Sequence, residues 1–224
     1  MNAVKIYYTM LHLECACMWR KQLQCLQGLM FFCLSVVFLP FAVGSDLNIL
    51  QAVGPGYMWI MAIFASLLTA DSIFSIDNQS GFLEKTVSAP DCLTAYYFAK
   101  LTAYFIFSSV PVILLTPVLS LLYQLSIFTI IILSITLTLG TFILNLFTLL
   151  GSILTLPVNQ RNNLVQLLIL PMITPVLIIG TMASYFTEPN QLTFSYIYLL
   201  LAIFLVAMFL LPIASIYLLR CGNT

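Results

Sequence analysis

The chain has 224 residues, 62% of them apolar and only 6% charged, and its seven basic residues balance its seven acidic ones. With a mean hydropathy of +1.11, far from a soluble domain in which about a quarter of residues are charged, the composition excludes a water-soluble enzyme and a basic nucleic-acid-binding domain. A polytopic membrane protein remains, and at about 20 residues per crossing the length holds about six or seven spans and no separate catalytic domain.

Residues 1–22 read as an interfacial helix. At helical spacing Lys5, Thr9, His12, Ala16 and Arg20 form a narrow polar stripe, and Val4, Tyr7, Tyr8, Leu11, Cys15 and Met18 line another face. Trp19, Arg20 and Lys21 supply the aromatic and basic anchors of a headgroup-level helix. No small-residue cleavage site follows a short apolar run, so the segment is not expected to be a cleaved signal peptide.

Six spans follow, at 25–44, 53–74, 95–122, 127–156, 164–186 and 194–219, which makes the fold class an all-α membrane protein of one domain. A short loop at 47–51 leads to the second span, whose entry is read at Gly54-Pro55-Gly56, with proline in the first turn where its missing N–H costs nothing. A tight turn near Tyr123-Gln124 joins the third and fourth spans. Pro111 and Pro117 lie in the third span and Pro171 and Pro175 in the fifth; they bend packed helices or line a route. Asn145 and Thr174 are polar groups able to bridge helices.

Between the second and third spans lies the longest polar interruption, residues 77–91. It holds four of the fourteen charged residues, yet Phe82, Leu83 and Val87 distinguish it from a plain linker. It reads as a short helix over about 81–88 through which an outside partner drives the membrane domain, with Phe82, Leu83 and Val87 as apolar contacts and Glu84 as the polar one. With both termini on one side, all of Lys5, Arg20, Lys21, Lys85, Lys100, Arg161 and Arg220 fall on that face or a turn or two inside it. Basic residues set topology, so this face and both termini are expected to be cytoplasmic.

The chemistry of a membrane enzyme is missing from the sequence. His12 is the single histidine, and no HExxH or Walker-type phosphate loop occurs, so ATP-driven work requires a second polypeptide. The six cysteines are expected to be free, small apolar residues, because the topology puts none in an external loop. Intramembrane charge is confined to Asp71, near the end of the second span, and Lys100, about a turn into the third. These two antiparallel positions are expected to form a structural or coupling pair, its cost lowered by snorkelling to the interface.

The pattern Phe74-x-x-Asp77-x-x-x-Gly81-x-Leu83-Glu84, followed by Pro90, resembles the cytoplasmic loop of ABC-2-type export permeases. Pro55-Gly56-x-x-Trp59, Ser66-Leu67-Leu68, Lys100-x-x-Ala103, Pro111-x-x-x-Leu115-Thr116-Pro117 and Leu168-x-Leu170-Pro171-x-x-x-Pro175 extend the resemblance over nearly the whole chain, and together they are similar to the CcmB family. The resemblance implies an ABC-2 exporter-like permease subunit of a bacterial inner-membrane complex for cytochrome c maturation. It implies docking of a CcmA-like ATPase on Asp77, Gly81, Phe82, Leu83, Glu84 and Val87, with Asp71 and Lys100 as flanking polar positions. It further implies CcmC-like and CcmD-like membrane partners, a homodimer within the complex, and haem passed to a CcmE-like chaperone. Haem enters as the species moved and not as a bound cofactor, since the chain offers no evident axial ligand. A permease for a drug, lipid or polysaccharide and a non-transporting scaffold are the alternative readings.

Overall fold

The computed structural model describes residues 3–20, 22–44, 46–70, 90–154, 164–185 and 191–221. All of the secondary structure described is helical: α1 (Ala3–Arg20), α2 (Gln22–Val43), α3 (Leu47–Ala70), α4 (Pro90–Tyr104), α5 (Val110–Ser120), α6 (Ile127–Leu154), α7 (Leu164–Tyr185) and α8 (Gln191–Cys221). Among the described residues, five segments are long and apolar enough to cross a bilayer: Leu26–Val43, Leu47–Thr69, Leu93–Tyr123, Ile127–Leu154 and Gln191–Arg220. The fifth predicted span, 164–186, corresponds to α7, whose apolar stretch Ile169–Tyr185 is shorter.

α6 is the central helix. It packs against α3, α5, α7 and α8, and its residues from Thr129 to Ile153 are largely buried. α2 lies against α3 and α5, while α1 lies against α4. Large apolar side chains cover the outward faces, Met30, Leu34, Phe38 and Phe41 on α2 and Tyr198, Leu205, Phe209 and Tyr217 on α8. An apolar surface this extensive needs lipid or a partner over it.

The second span begins earlier than the sequence reading placed it. Residues 47–51, read as a loop, are the first turns of α3. Asp46 is the cap that starts them: its Oδ1 accepts the Asn48 N–H at 3.1 Å and its carbonyl accepts the Leu50 N–H at 3.1 Å. Pro55 consequently sits inside α3 and not in its first turn.

Where the chain turns between the third and fourth spans, the helix tightens to a 3₁₀ turn at Leu121–Tyr123 and Gln124 adopts a left-handed φ of 50°. That conformation is unfavourable for a residue with a side chain. It is held by the Gln124 N–H on the Leu121 carbonyl at 3.1 Å and by Gln51 Nε2, which donates to the Gln124 carbonyl at 2.9 Å. Ser126 then caps α6, its Oγ accepting the Thr129 N–H at 3.2 Å.

The third span is interrupted midway. Between α4 and α5, residues Phe105–Ser109 widen to a π-helix, and the Val110 N–H reaches back to the Phe105 carbonyl. Pro111 follows at once; in a regular helix its ring would clash with the Phe107 carbonyl four residues earlier. Widening the preceding turn relieves that clash, as π turns and prolines mark most helix distortions.

Candidate functional site

Two groups of buried polar side chains lie around α4 and the π turn. Lys100 on α4 is 1% exposed and Glu14 on α1 is 7% exposed, so the two form a buried ion pair. The Lys100 Nζ donates to both Glu14 carboxylate oxygens at 3.1 Å and to the Tyr96 hydroxyl at 3.1 Å. It also lies 4.9 Å from the centre of the Tyr96 ring, a cation–π contact. Tyr96 stands one helical turn before Lys100, so α4 prepares the ammonium site locally and α1 delivers the counter-charge. Burying either ion alone would cost several kcal/mol, and removing one partner of such a pair typically costs about 3–5 kcal/mol.

α1 meets α4 with the stripe Tyr7, Leu11, Glu14 and Met18, spaced four, three and four apart, of which Glu14 and Met18 are fully buried. Tyr7 and Thr102 share a hydrogen bond of 3.2 Å, and the Trp19 ring meets Phe107 edge-on at 6.4 Å. The opposite stripe, Lys5, Thr9, His12, Ala16 and Arg20, is exposed, as the sequence reading had it. Tyr8, which that reading put on the apolar face, is 65% exposed. Burial pushes the Cys15 thiol above the usual thiol range, and the neighbouring Glu14 charge adds to the effect.

A second polar group joins α3, α4 and the π turn. Thr69 Oγ1 lies 2.8 Å from the Tyr104 hydroxyl and 3.1 Å from Ser108 Oγ, while the Tyr104 hydroxyl also donates to the Ser66 carbonyl at 3.0 Å. From α6, Asn145 Nδ2 donates to Ser109 Oγ at 2.9 Å. Asn145 thus bridges helices as expected. Thr174 does not, because its hydroxyl donates to the Leu170 carbonyl of its own helix at 2.9 Å.

Of the predicted site residues, Lys100 is the one whose side chain is described, and it is buried in the ion pair. Asp71, Asp77, Gly81, Phe82, Leu83, Glu84 and Val87 lie outside the described residues. The sequence offered Asp71 as the partner of Lys100; among the described residues the carboxylate at Lys100 is Glu14. Sequence reasoning passed over Glu14, although its signal was available: an acid at positions three after Leu11 and four before Met18 sits in the middle of an apolar helix face. Cys15, Cys17 and Cys33 are free thiols, and the side chains of Cys25, Cys92 and Cys221 lie outside the described residues.

The fold and these contacts define a class: a multi-pass helical membrane protein whose interior charge and hydrogen bonds register one helix on another. The profile of the CcmB protein family matches residues 5–222. The Heme exporter protein B of Bradyrhizobium diazoefficiens is 35% identical over 196 residues, covering 87% of this chain and 88% of that protein. The protein of the same name from Pseudomonas aeruginosa is 32% identical over 176 residues, 79% of each chain. That of Haemophilus influenzae is 32% identical over 162 residues, 72% of this chain and 73% of its own. The chain belongs to the CcmB family.

Proposed function

We propose that this chain is the transmembrane subunit of an ABC-type complex that exports haem, or releases a haem-loaded chaperone, during c-type cytochrome assembly in the bacterial inner membrane. The observation that carries the reading is the similarity, along 88% of its length, to a protein named Heme exporter protein B. In this reading α7 crosses the membrane as the fifth of the six spans of an ABC-2-like bundle, α1 lies in the headgroup region, and both termini are cytoplasmic. The position of every basic residue supports that orientation.

Energy comes from a CcmA-like ATPase, because the chain carries no phosphate loop of its own. Residues 77–91 receive that partner, with Phe82, Leu83 and Val87 as the apolar contacts, Asp77 and Glu84 as the polar ones, and Gly81 among the docking positions. CcmC-like and CcmD-like chains, a second copy of this chain and a CcmE-like chaperone complete the assembly. Haem is its cargo.

Replacing Leu83 and Glu84 together by alanine is expected to reduce co-purification of the ATPase at least about tenfold, a loss on the order of 1.4 kcal/mol or more, while the chain still inserts. Undiminished ATPase binding would overturn the docking assignment. Deleting the gene is expected to abolish holo c-type cytochromes while sparing b-type ones; unchanged c-type cytochromes would favour another cargo.

A further inference from the structure

The geometry points to Glu14 as a positioning residue that fastens α1 to α4, so that the two helices move as one lever when the segment before Pro90 is displaced. The inference rests on the reading of that segment as the place where an ATPase acts. Four observations carry it.

The pair is built and not incidental. Both carboxylate oxygens, the Tyr96 hydroxyl and the Tyr96 ring face one ammonium group, and neither charged residue is more than 7% exposed. Charge is rare in this chain, at 6% of residues, and ionisable groups at membrane depth are costly enough that their default interpretation is functional. A hydrophobic pair of similar volume would hold two helices together equally well or better, whereas an ion pair fixes which residue meets which.

The pair also stands in the right place. α4 runs without interruption from Pro90 to Tyr104, so ten residues at a rise of about 1.5 Å put Lys100 about 15 Å from the end of the loop. A push on the loop therefore reaches Lys100 through a rigid rod. Next, α1 has its main packing partner in α4, and Tyr7 to Thr102 adds a second point of attachment. Two attachments prevent α1 from pivoting about the ion pair. Finally, the rod ends at a defined weak point: α4 gives way to the π turn Phe105–Ser109 and then to Pro111. Helix distortion of this kind is where bending concentrates. Trp19 reaches Phe107 within it, so tilting the α1–α4 lever also loads the turn whose Ser108 and Ser109 contact Thr69 and Asn145.

The test uses the full complex in membranes and reads the ratio of holo-cytochrome c formed to ATP hydrolysed, at matched amounts of assembled complex. Glu14→Gln is expected to lower that ratio about tenfold while ATPase co-purification and hydrolysis persist. The charge reversal, Glu14→Lys with Lys100→Glu, is expected to restore at least half of it. Should Glu14→Gln fail to assemble, Glu14→Asp keeps the charge but shortens the reach by one methylene and is expected to lower the ratio at least threefold. A wild-type ratio in assembled Glu14→Gln or Glu14→Asp overturns the lever, as does a charge reversal that assembles but restores nothing. A wild-type chain that recruits no ATPase overturns the functional reading itself, and the lever with it.

Discussion

Tyr123 shows how one side chain can settle an otherwise costly arrangement. Pro40 lies inside α2 and has no N–H, so the Val36 carbonyl four residues earlier lacks its helical donor. The Tyr123 hydroxyl donates to that carbonyl at 2.6 Å, and Tyr123 itself is fully buried. The ring fits because Gly54 on α3 has no side chain; a Cβ there would lie 2.7 Å from the ring. Tyr123→Phe should therefore leave a buried carbonyl unpaired and cost about 1–3 kcal/mol, read as a lower melting temperature in detergent. Pro40→Ala supplies an N–H to the same carbonyl, so the double variant is expected to melt above Tyr123→Phe alone. A double variant no better than the single one would mean that the proline-freed carbonyl is not the source of the loss. Trp59 follows related logic: its buried ring occupies the space that a Cβ would take at both Gly140 on α6 and Gly180 on α7. Neither arrangement was legible in the sequence, because each depends on residues from three helices that only the fold brings together.

Element by element, the sequence speaks unevenly. Long apolar runs announce most of the spans, since the bilayer leaves few other options. The start of α3 was misread because Gly54-Pro55-Gly56 looks like a break, while the actual start is set by one carboxylate, Asp46, whose capping bonds are visible only in space. Asn145 and Thr174 both looked like bridging groups. A threonine hydroxyl can satisfy itself on the carbonyl of its own preceding turn, as Thr174 does, whereas an amide is too demanding for that and finds Ser109 across the helix boundary. In α1, the polar stripe was legible from spacing, but Glu14 was hidden by its apolar neighbours. The faces of α1 give a direct chemical test. Cys17 is exposed, while Cys15 is half-buried and its thiol is pushed up by burial and by Glu14. A raised thiol is less thiolate at neutral pH, and the thiolate is the reactive form. With the other cysteines replaced by serine, a soluble maleimide at pH 7 should modify Cys17 at least about tenfold faster than Cys15, and the gap should narrow as pH rises through the thiol range. Equal rates at pH 7 would mean that α1 does not present these faces.

At the level of the whole molecule, the number of crossings decides where the ends lie. Among the described residues five segments qualify as spans by length and composition, and five crossings would put the termini on opposite sides. α7 is the deciding element. Its full 22 residues extend about 33 Å at 1.5 Å per residue, enough to cross a hydrocarbon core of about 30 Å. Along one face it packs against α3, α6 and α8, and the close approach at Gly180 ties it to Trp59. The basic residues point the same way, since Arg161 precedes α7 and Arg220 ends α8, with Glu188 as the charge between those helices. In a cysteine-free background, a membrane-impermeant maleimide added outside spheroplasts should label a cysteine placed at Glu188 and leave one placed at Asn223 untouched until the membrane is opened. Labelling of both positions from outside would mean that α8 does not return the chain to the cytoplasm. Protection of Glu188→Cys together with labelling of Asn223→Cys would mean that α7 does not cross. Either pattern would separate the C-terminal end from the face that carries residues 77–91, and would overturn the proposal of a single cytoplasmic surface for an ATPase.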